Sequence, residues 1–396
     1  MHDRVRRGCV TVYEGKTIAV VVPAYNEAGF VGEVIETVPA FVDRVYAVDD
    51  GSSDGTWDEI RRAAEYENNR LTRPLTPSPS PDGGAAFEPR VVAIRHEGNQ
   101  GVGAAIKTGY RRALDDGIDV VAVMNGDGQM APAILDRIID PVVSEIADYA
   151  KGNRLSEPAD RHTMSNWRLF GNFLLTGLTR VASGYWGMTD PQNGYTAISR
   201  EALETIDVDA LHDNYGFCND VLVRLNAANL RVADVPMEAV YGDEDSHIRY
   251  STFVPGLSWL LLRDFLWRLH RSYGPAHSVP ALYLLGAVGT VVGTLTTGWQ
   301  VLSALARWSP VVTLAAVSGQ LAEAAGVDGL AGAPGFSWSP VAGVDISSIL
   351  SSLPGTTPGS LVDIVAAVGT LALGVVALVM AALRDREHNE DKEVDS

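Results

Sequence analysis

Cysteines and basic residues are scarce in this sequence, and each shortage narrows the class of protein. Cys9 and Cys218 are the two cysteines among 396 residues. They are too few to staple a secreted disulfide scaffold, so the chain fits a reducing compartment. Lysines and arginines number 31 against 49 acidic residues, which gives a formal net charge of −18. Because most of such a surface repels phosphate, we expect no nucleic acid as a partner.

Apolar residues are distributed unevenly along the chain. No apolar run of signal-peptide length follows the basic start, MHDRVRRGCV. Two later stretches lack charge altogether, from Val279 to Ala306 and from Ile364 to Leu383. Each reaches the roughly 20 residues that a helix needs to cross a hydrocarbon layer. They predict transmembrane helices over residues 279–306 and 361–383, and the alternative is a pair of helices buried in a soluble domain.

Basic residues near the two stretches predict their orientation. Six of them flank the stretches on the outer sides: Arg263, Arg268, Arg271, Arg384, Arg386 and Lys392. The intervening residues 307–360 contain one basic residue, Arg307. By the positive-inside rule, residues 307–360 form an extracytoplasmic loop, while the N-terminal part and a charged tail at 384–396 are cytoplasmic. The expected protein is therefore a multi-pass protein of the cell membrane with both termini in the cytoplasm.

The stretch before the first predicted span, residues 248–276, has an amphipathic pattern. On a helical wheel one arc is apolar, with Trp259, Leu262, Phe265, Leu266 and Leu269, and the other is charged, with Arg263, Asp264, Arg268 and Arg271. Tryptophan at the edge of an apolar face is typical of a helix lying in the membrane interface. The alternative is an ordinary amphipathic helix packed on the domain.

After an N-terminal tail of residues 1–16, strand and helix patterns alternate over residues 17–247. The strand patterns are continuous apolar runs, as in TIAVVVPAYNE and IDVVAVMN. A low-complexity insert at residues 66–89, rich in proline and serine, interrupts the alternation. This order predicts an α/β domain whose mostly parallel, Rossmann-like sheet is covered on both faces.

Three polar turns follow the predicted strands: PAYNE, DDGSSDGT and NGDGQ. The carboxyl ends of parallel strands share one edge of a sheet, and ligands of open α/β sheets bind at that edge. A single turn of this kind is often a local Asx turn. Three turns at the ends of three parallel strands predict one shared ligand site.

These segments resemble the motifs of a known family. VVVPAYNE, VDDGSSDGT, NQGVGAAIKTG and NGDGQ are similar, in order and spacing, to successive motifs of family 2 glycosyltransferases. The resemblance covers about residues 18–250 and is strongest to the polyprenyl-phosphate hexosyltransferase branch, which includes dolichol-phosphate mannose synthase. It implies a GT-A domain and a nucleotide-diphospho-sugar donor.

The resemblance also implies a donor site and a metal site. The implied donor-binding residues are Pro23, Ala24, Tyr25, Glu27, Val48, Asp50, Asn125, Gly126 and Asp127. Glu27 could instead cap the following helix, and Asp50 could hold its own turn. Asp127 and Gln129 match the family's ligands for Mg²⁺ or Mn²⁺, whereas Asn125 replaces the first acid of its Asp-x-Asp signature. This replacement removes one negative charge from the metal site.

The other implied site residues lie further along the chain. Asp190 in DPQNGYTAIS and Arg154 in KGNR match catalytic positions near the sugar and the phosphates. Arg168, Ser246 and His247 are candidates for binding the lipid phosphate. Asp220, in GFCNDVLVRL, is either a site carboxylate or a buried structural acid.

The implied reaction is an inverting, metal-dependent transfer of a hexose from a UDP-glucose or GDP-mannose type of donor to dolichyl or polyprenyl phosphate. The product would supply protein glycosylation or cell-surface glycans. One alternative is a processive polysaccharide synthase, although its Gln-x-x-Arg-Trp motif is not found in the expected place. Another is a catalytically silent, membrane-tethered binding paralogue, which Asn125 suggests. The sequence leaves open whether the chain forms a homo-oligomer.

Overall fold

The predicted alternation of strands and helices is present in the computed structural model of the chain. The structure describes residues 13–71, 89–154, 166–238, 250–274, 277–308 and 361–395. The chain divides into two compact units. Unit 1 comprises residues 1–276 and 385–396, and unit 2 comprises residues 277–384.

One sheet runs through unit 1. Its strands are β1 (Ile18–Ala24), β2 (Arg44–Asp49), β3 (Val91–Arg95), β4 (Val120–Val123), β5 (Tyr149–Asn153), β6 (Thr196–Ser199), β7 (Val232–Pro236) and β8 (Glu393–Asp395). The strand order is β3-β2-β1-β4-β6-β5-β7-β8. Strand β6 is antiparallel to both neighbours, and the other pairs are parallel. The predicted α/β class with a mostly parallel sheet is therefore confirmed.

Helices cover both faces of this sheet. Those of unit 1 are α1 (Val31–Thr37), α2 (Thr56–Leu71), α3 (Val102–Asp115), α4 (Leu135–Val143), α5 (Asn166–Ser183), α6 (Arg200–Thr205), α7 (Phe217–Ala227) and α8 (Tyr250–Ser272). Successive residues of β1 point to opposite cores, since Val20 and Val22 lie in one apolar cluster and Ala19 and Val21 in the other. Burial on both faces explains why the strand is a continuous apolar run.

Unit 2 contains α9 (Ser278–Trp308) and most of α10 (Leu361–Asn389), whose last residues belong to unit 1. Both helices are long and apolar enough to cross a membrane by length and composition. Their backbones approach closely at glycines, because a Cβ atom built on Gly289 would lie 2.9 Å from the Cα atom of Gly374. Small residues at such a contact are typical of membrane helix pairs. That these helices span a membrane, with the predicted orientation, stays a prediction.

The charged arc predicted for α8 does not face solvent throughout. Arg268 and Asp264 are buried, with exposed fractions of 0% and 4%. Arg268 can be buried because it donates to two carbonyl oxygens at the end of α5, those of Val181 and Ala182, and pairs with Asp385. Arg268 therefore has tertiary partners, whereas Asp264 pairs with the adjacent Arg263. That this helix lies in the membrane interface stays a prediction.

Several large side chains on the apolar arc of α8 are exposed. Trp259 is 69% exposed, and Leu262 and Leu266 are about half exposed. Other leucines on the helix, Leu260 and Leu261, are buried in a cluster with residues of α5 and α7. Helix α8 therefore packs on the domain and presents a separate apolar stripe outward.

The tail predicted at residues 384–396 is folded from residue 385 onward. Asp385 and Asn389 are fully buried at the end of α10, and residues 393–395 form β8 beside β7. Residues 385–395 therefore belong to the fold of unit 1, where Asp385 and Asn389 have hydrogen-bond partners. The cytoplasmic location of this charged tail stays a prediction.

Several predicted segments lie wholly or partly outside the described residues. Helix α2 extends to Leu71, so it contains the first six positions of the predicted insert at 66–89, and residues 72–88 are outside the described residues. The same holds for residues 1–12 of the N-terminal tail and for residues 309–360 of the predicted loop.

The turn after β2 gives a test of how strictly the fold requires glycine. Gly51 has φ = +71°, and an added Cβ atom would lie 2.5 Å from backbone atoms of Gly98. Gly51→Ala should lower the free energy of unfolding by about 1–3 kcal/mol, because the backbone must shift. Thermal and denaturant unfolding of the full chain measure the effect. Gly55→Ala is the matched control, since its Cβ atom would meet only Ala28 at 3.7 Å. Equal stabilities for the two variants would contradict the prediction.

Candidate active site

The three polar turns meet at the carboxyl ends of β1, β2 and β4. Ala24 at the end of β1 pairs with Asp49 at the end of β2. The N–H group of Asp50 donates to the carbonyl oxygen of Ala24 at 2.9 Å, and that of Gly126 donates to Pro23 at 3.0 Å. Backbone hydrogen bonds thus join PAYNE directly to both other turns. The prediction that the three turns lie at one edge of the sheet is confirmed.

Side chains of the second turn also hold the first. The N–H group of Asn26, which has φ = +56°, donates to the hydroxyl oxygen of Ser52 at 2.9 Å. The N–H group of Glu27 donates to the hydroxyl oxygen of Thr56 at 2.8 Å. Tyr25 projects from this frame and is 44% exposed. Of the implied donor-binding residues in PAYNE, it therefore offers an exposed aromatic face.

Asp50 holds the glycine-rich turn before α3. Its carboxylate accepts hydrogen bonds from the N–H groups of Gln100 at 3.0 Å and Gly101 at 2.7 Å. The Nδ1 atom of His96 lies 2.7 Å from the same carboxylate. Asp50 is 2% exposed and holds the turn before α3 rather than its own turn. Its predicted contact with the donor stays a prediction. Val48 is fully buried in the core, and its predicted contact with the donor stays a prediction.

Asp127 lies half-buried in the turn after β4. Its carboxylate accepts the N–H group of Gln129 at 2.9 Å. Burial raises the pKa of Asp127, although that N–H group, the Asn125 side chain and the charge of Arg154 act in the opposite direction. Burial therefore disfavours the ionised form of Asp127, which a positive charge bound beside it would stabilise.

A cavity of about 590 Å³ opens beside this turn. Asp127, Gln129, Phe30 and Met130 are among the residues that line it. Among the described residues, no group of three or more His, Cys, Asp or Glu side chains could hold a metal alone. One carboxylate with neighbouring amide oxygens does fit Mg²⁺ or Mn²⁺, because such ions commonly take their remaining ligands from substrate phosphates and water. The donor set therefore fits a cation that arrives with, or is completed by, a diphosphate.

Arg154 and Asp190 form an ion pair at the end of β5. The Nε atom of Arg154 lies 2.9 Å from Asp190 Oδ2, and its backbone N–H group donates to the same oxygen at 3.2 Å. Burial alone would raise the pKa of Asp190, but the hydrogen bond and charge of Arg154 hold that pKa below its usual range. Asp190 therefore stays ionised, and it orients Arg154, whose side chain is 40% exposed.

The chain after Asp190 leads back to the metal-site turn. Asn193 donates its N–H group to the carbonyl oxygen of Asp190 at 3.2 Å. A Cβ atom on Gly194 would lie 3.6 Å from the Asn125 side chain. The structure thus brings Asp190, Arg154, Asn125 and Asp127 into one neighbourhood.

Asp234 on β7 is a site-supporting residue that sequence reasoning missed. Its carboxylate accepts from Lys151 at 2.7 Å, from Asn153 at 3.1 Å, and from the hydroxyl and N–H groups of Thr189 at 2.8 and 3.1 Å. It therefore joins the end of β5 to the residue preceding Asp190. The surrounding sequence, VADVP, has no motif signal that could have identified it.

The remaining predicted residues are placed as follows. Asp220 is the structural acid of the two alternatives, since it is buried and accepts from Arg224 at 3.0 Å and from the N–H group of His212 at 2.8 Å. Ser246 and His247 lie outside the described residues, as does the side chain of Arg168. Their predicted contacts with a lipid phosphate stay predictions.

Known proteins resemble this chain over the same region. The family model described as "Glycosyl transferase family 2" matches residues 19–207. The UDP-N-acetylglucosamine–dolichyl-phosphate N-acetylglucosaminyltransferase of Methanococcus voltae is 29% identical over 227 residues, which are 57% of this chain and 86% of that protein. The polyprenol monophosphomannose synthase of Mycolicibacterium smegmatis is 31% identical over 244 residues, covering 57% and 78% of the two chains.

Solved structures also resemble the chain. Glucosyl-3-phosphoglycerate synthase from Mycobacterium tuberculosis, in complex with Mn²⁺, UDP and phosphoglyceric acid, superposes with a TM-score of 0.45. The sequence identity is 19%, and the match covers 67% of this chain and 84% of that one.

The contacts of Asp50 give a prediction that separates its two proposed roles. Asp50→Asn leaves one acceptor oxygen for three donors, so the free energy of unfolding should fall by about 1–3 kcal/mol. Thermal unfolding without ligand measures this loss. Asp58→Asn, an exposed acid on α2, is the charge-matched control and should leave stability nearly unchanged. A variant with normal stability but weakened nucleotide binding would instead assign Asp50 directly to the donor.

Proposed function

This chain belongs to glycosyl transferase family 2, and we propose that it transfers a hexose from a nucleotide-diphospho-sugar to dolichyl or polyprenyl phosphate at the cytoplasmic membrane face. The observation that carries the proposal is the convergence of Asp127, Asn125, Arg154 and Asp190 beside three joined turns at one sheet edge. The names of the two relatives, which include dolichyl phosphate and polyprenol monophosphate, support the acceptor class.

Asp127 and Gln129 would hold the divalent cation of the donor. When bound, Mg²⁺ or Mn²⁺ supplies positive charge that offsets the charge building on the departing diphosphate. Asn125, in the place of a second acid, would offer a neutral oxygen to the donor or to a cation-bound water. The half-buried carboxylate of Asp127 would carry the negative charge of this ligand set, and a bound cation would offset the burial that raises its pKa.

Arg154 would bind the phosphates of the donor. Its guanidinium is held by Asp190 and still partly exposed, so it can donate hydrogen bonds to a phosphate oxygen with little further loss of side-chain freedom. The attraction between Arg154 and the diphosphate is strongest as the diphosphate leaves with its added negative charge. This attraction therefore lowers the barrier of the transfer step. Asp190 stays ionised and engaged, which makes it a residue that orients the donor site.

The acceptor requires little activation by the protein. A phosphate monoester with a second pKa near ~6 is already largely anionic at neutral pH. Its oxygen would attack the anomeric carbon while the bond from that carbon to the diphosphate oxygen breaks, and the bonding electrons leave with the nucleoside diphosphate. Direct displacement inverts the anomeric carbon. The absence of a need for a strong base fits the low pKa of Asp190.

The outer surface of α8 supports a membrane-facing role for unit 1. Trp259, Leu262 and Leu266 are exposed on this helix, and Leu174 and Leu178 are exposed on α5, which packs against it. Exposed apolar stripes of this kind are costly in water and are stabilised at a lipid interface. Such a position would bring the site to the depth of an isoprenoid phosphate.

Asp127→Ala tests the metal assignment. Transfer of radiolabelled hexose to polyprenyl phosphate should fall to background, a loss of at least about a hundredfold, because the ligand set loses its charge. The assay uses full-length protein with Mn²⁺ and UDP-glucose, UDP-N-acetylglucosamine or GDP-mannose. Glu36→Ala, an exposed acid on α1, is the matched control and should keep wild-type activity. Full activity of Asp127→Ala would reject the metal role, and extended polymers on a gel would favour a processive synthase.

Asn125→Asp tests whether the missing acid weakens the metal site. A second carboxylate raises the charge of the ligand set, so the Mn²⁺ concentration for half-maximal activity should fall by roughly tenfold. Asn229→Asp adds the same charge at an exposed position and should leave the metal dependence unchanged. A wild type without turnover, combined with an active Asn125→Asp variant, would instead identify the natural chain as the silent binding paralogue.

A further inference from the structure

We propose that Asp385 and Glu393, at the C-terminal end of the chain, are positioning residues of the active site. Together they hold residues 184–190 so that Asp190 meets Arg154. This inference rests on the proposed glycosyl transfer, for which Asp190 and Arg154 prepare the donor site. It goes further because it gives residues in the last turns of α10 and in β8 a role in positioning the active site.

Asp385 is the buried centre of the first contact. Its carboxylate accepts hydrogen bonds from both terminal nitrogens of Arg268, each at 2.9 Å, and from the hydroxyl group of Tyr273 at 2.5 Å. The indole N–H group of Trp186 also donates to it at 3.3 Å. Arg268 and Asp385 are each fully buried, so each charge depends on the other for compensation. Asp385 therefore contacts the segment at Trp186.

Arg268 extends this contact to helix α5. It donates to the carbonyl oxygens of Val181 and Ala182 at 3.0 and 2.8 Å, which belong to the last turn of the helix. A positive charge at this end also interacts favourably with the helix dipole. Gly184 follows with φ = +81°, and a Cβ atom there would lie 2.6 Å from Arg268. Arg268, which pairs with Asp385, thus lies against Gly184 at the start of the segment.

Glu393 forms the second contact, from strand β8. Its carboxylate accepts the N–H group of Gly187 at 2.6 Å. Burial raises the pKa of Glu393, while the backbone N–H groups of Gly187, Trp186 and Met188 act to lower it. A Cβ atom on Gly187 would lie 2.5 Å from this carboxylate. Glu393 therefore fixes the middle of the segment through consecutive backbone groups.

The strand that carries Glu393 is itself anchored to unit 1. Glu393 pairs with Val232 in the register of β8 beside β7. The preceding Lys392 donates to the carbonyl oxygen of Asn226 at 3.2 Å and to the side chain of Asn389 at 2.8 Å. The carboxylate is thus placed by a paired strand and by a buried lysine, which limits how far it can move.

The last three residues of the segment, Met188, Thr189 and Asp190, connect it to the active site. The carbonyl oxygen of Met188 accepts from Arg180 at 2.6 Å. Thr189 is held by Asp234 through both its N–H and hydroxyl groups. Asp190 then pairs with Arg154. Two residues, Met188 and Thr189, lie between Gly187 and Asp190, so a shift at Gly187 would displace the carboxylate that orients Arg154.

The experiment compares three single variants in the full-length, membrane-reconstituted protein. Glu393→Ala removes the acceptor of the Gly187 N–H group, and kcat for hexose transfer should fall by roughly tenfold while the KM for the donor stays within about twofold. Glu393→Gln keeps an acceptor oxygen and should restore most of kcat. Glu390→Ala, an exposed acid nearby, is the matched control and should behave as the wild type. Wild-type kcat in Glu393→Ala, or equal losses in the Ala and Gln variants, would overturn the inference.

A second variant tests the same contact from the other side. Gly187→Ala places a methyl group against the Glu393 carboxylate, so its loss of kcat should not add to that of Glu393→Ala in the double variant. Additive losses would show that the two residues act separately and would overturn the inference.

Amide hydrogen exchange separates this inference from the proposed function. Exchange at residues 186–188 should be faster in Glu393→Ala than in the wild type and in Glu390→Ala, whatever reaction the protein catalyses. Unchanged exchange would overturn the positioning role even if hexose transfer is found. A wild type that transfers no hexose, with faster exchange in Glu393→Ala, would overturn the proposed function and retain the contact.

Discussion

The site depends on three buried parallel strands that end at the same level. Strands β2, β1 and β4 are neighbours in register, and hydrogen bonds from Asp50 and Gly126 to the end of β1 join their turns. Because these strands are covered on both faces, their ends cannot slide without moving the core. The strands therefore fix the positions of the polar turns that follow them. Turns that are about a hundred residues apart in sequence thus lie at one edge of the sheet.

Two carboxylates near this edge have opposite environments. Asp127 is half-buried beside a cavity, and burial raises its pKa, whereas the charge of Arg154 holds the pKa of Asp190 down. Asp127 is therefore the acid that gains from an added cation, while Asp190 already has its positive partner. This difference supports the proposed division of tasks, in which Asp127 would bind the metal and diphosphate and Asp190 orients Arg154.

Residues near the C-terminus fix side chains and backbone at the β7 edge of the sheet. Strand β8 covers the edge of β7, and the buried pair of Arg268 and Asp385 joins the end of α10 to α5 and α8. A buried ion pair adds little net stability over an apolar pair, but breaking it leaves an uncompensated charge. Such a contact selects one arrangement of the segment before Asp190. The exposed apolar stripe of α8, with Trp259 at its edge, is a separate surface of the same helix.

The sequence by itself determined the sheet class, the shared edge and the apolar helices, because these follow from local hydrophobic period and from the order of strands and turns. It also identified Asp127, Asp190 and Arg154, which lie in recognisable motifs. Only the tertiary structure decided that Asp50 holds a turn, that Asp234 supports the site, and that Arg268 is buried with Asp385. The physical reason is that the burial and partner of a charged side chain depend on residues distant in the chain. A helical wheel places Arg268 on a polar arc, but it cannot reveal a carboxylate 117 residues away.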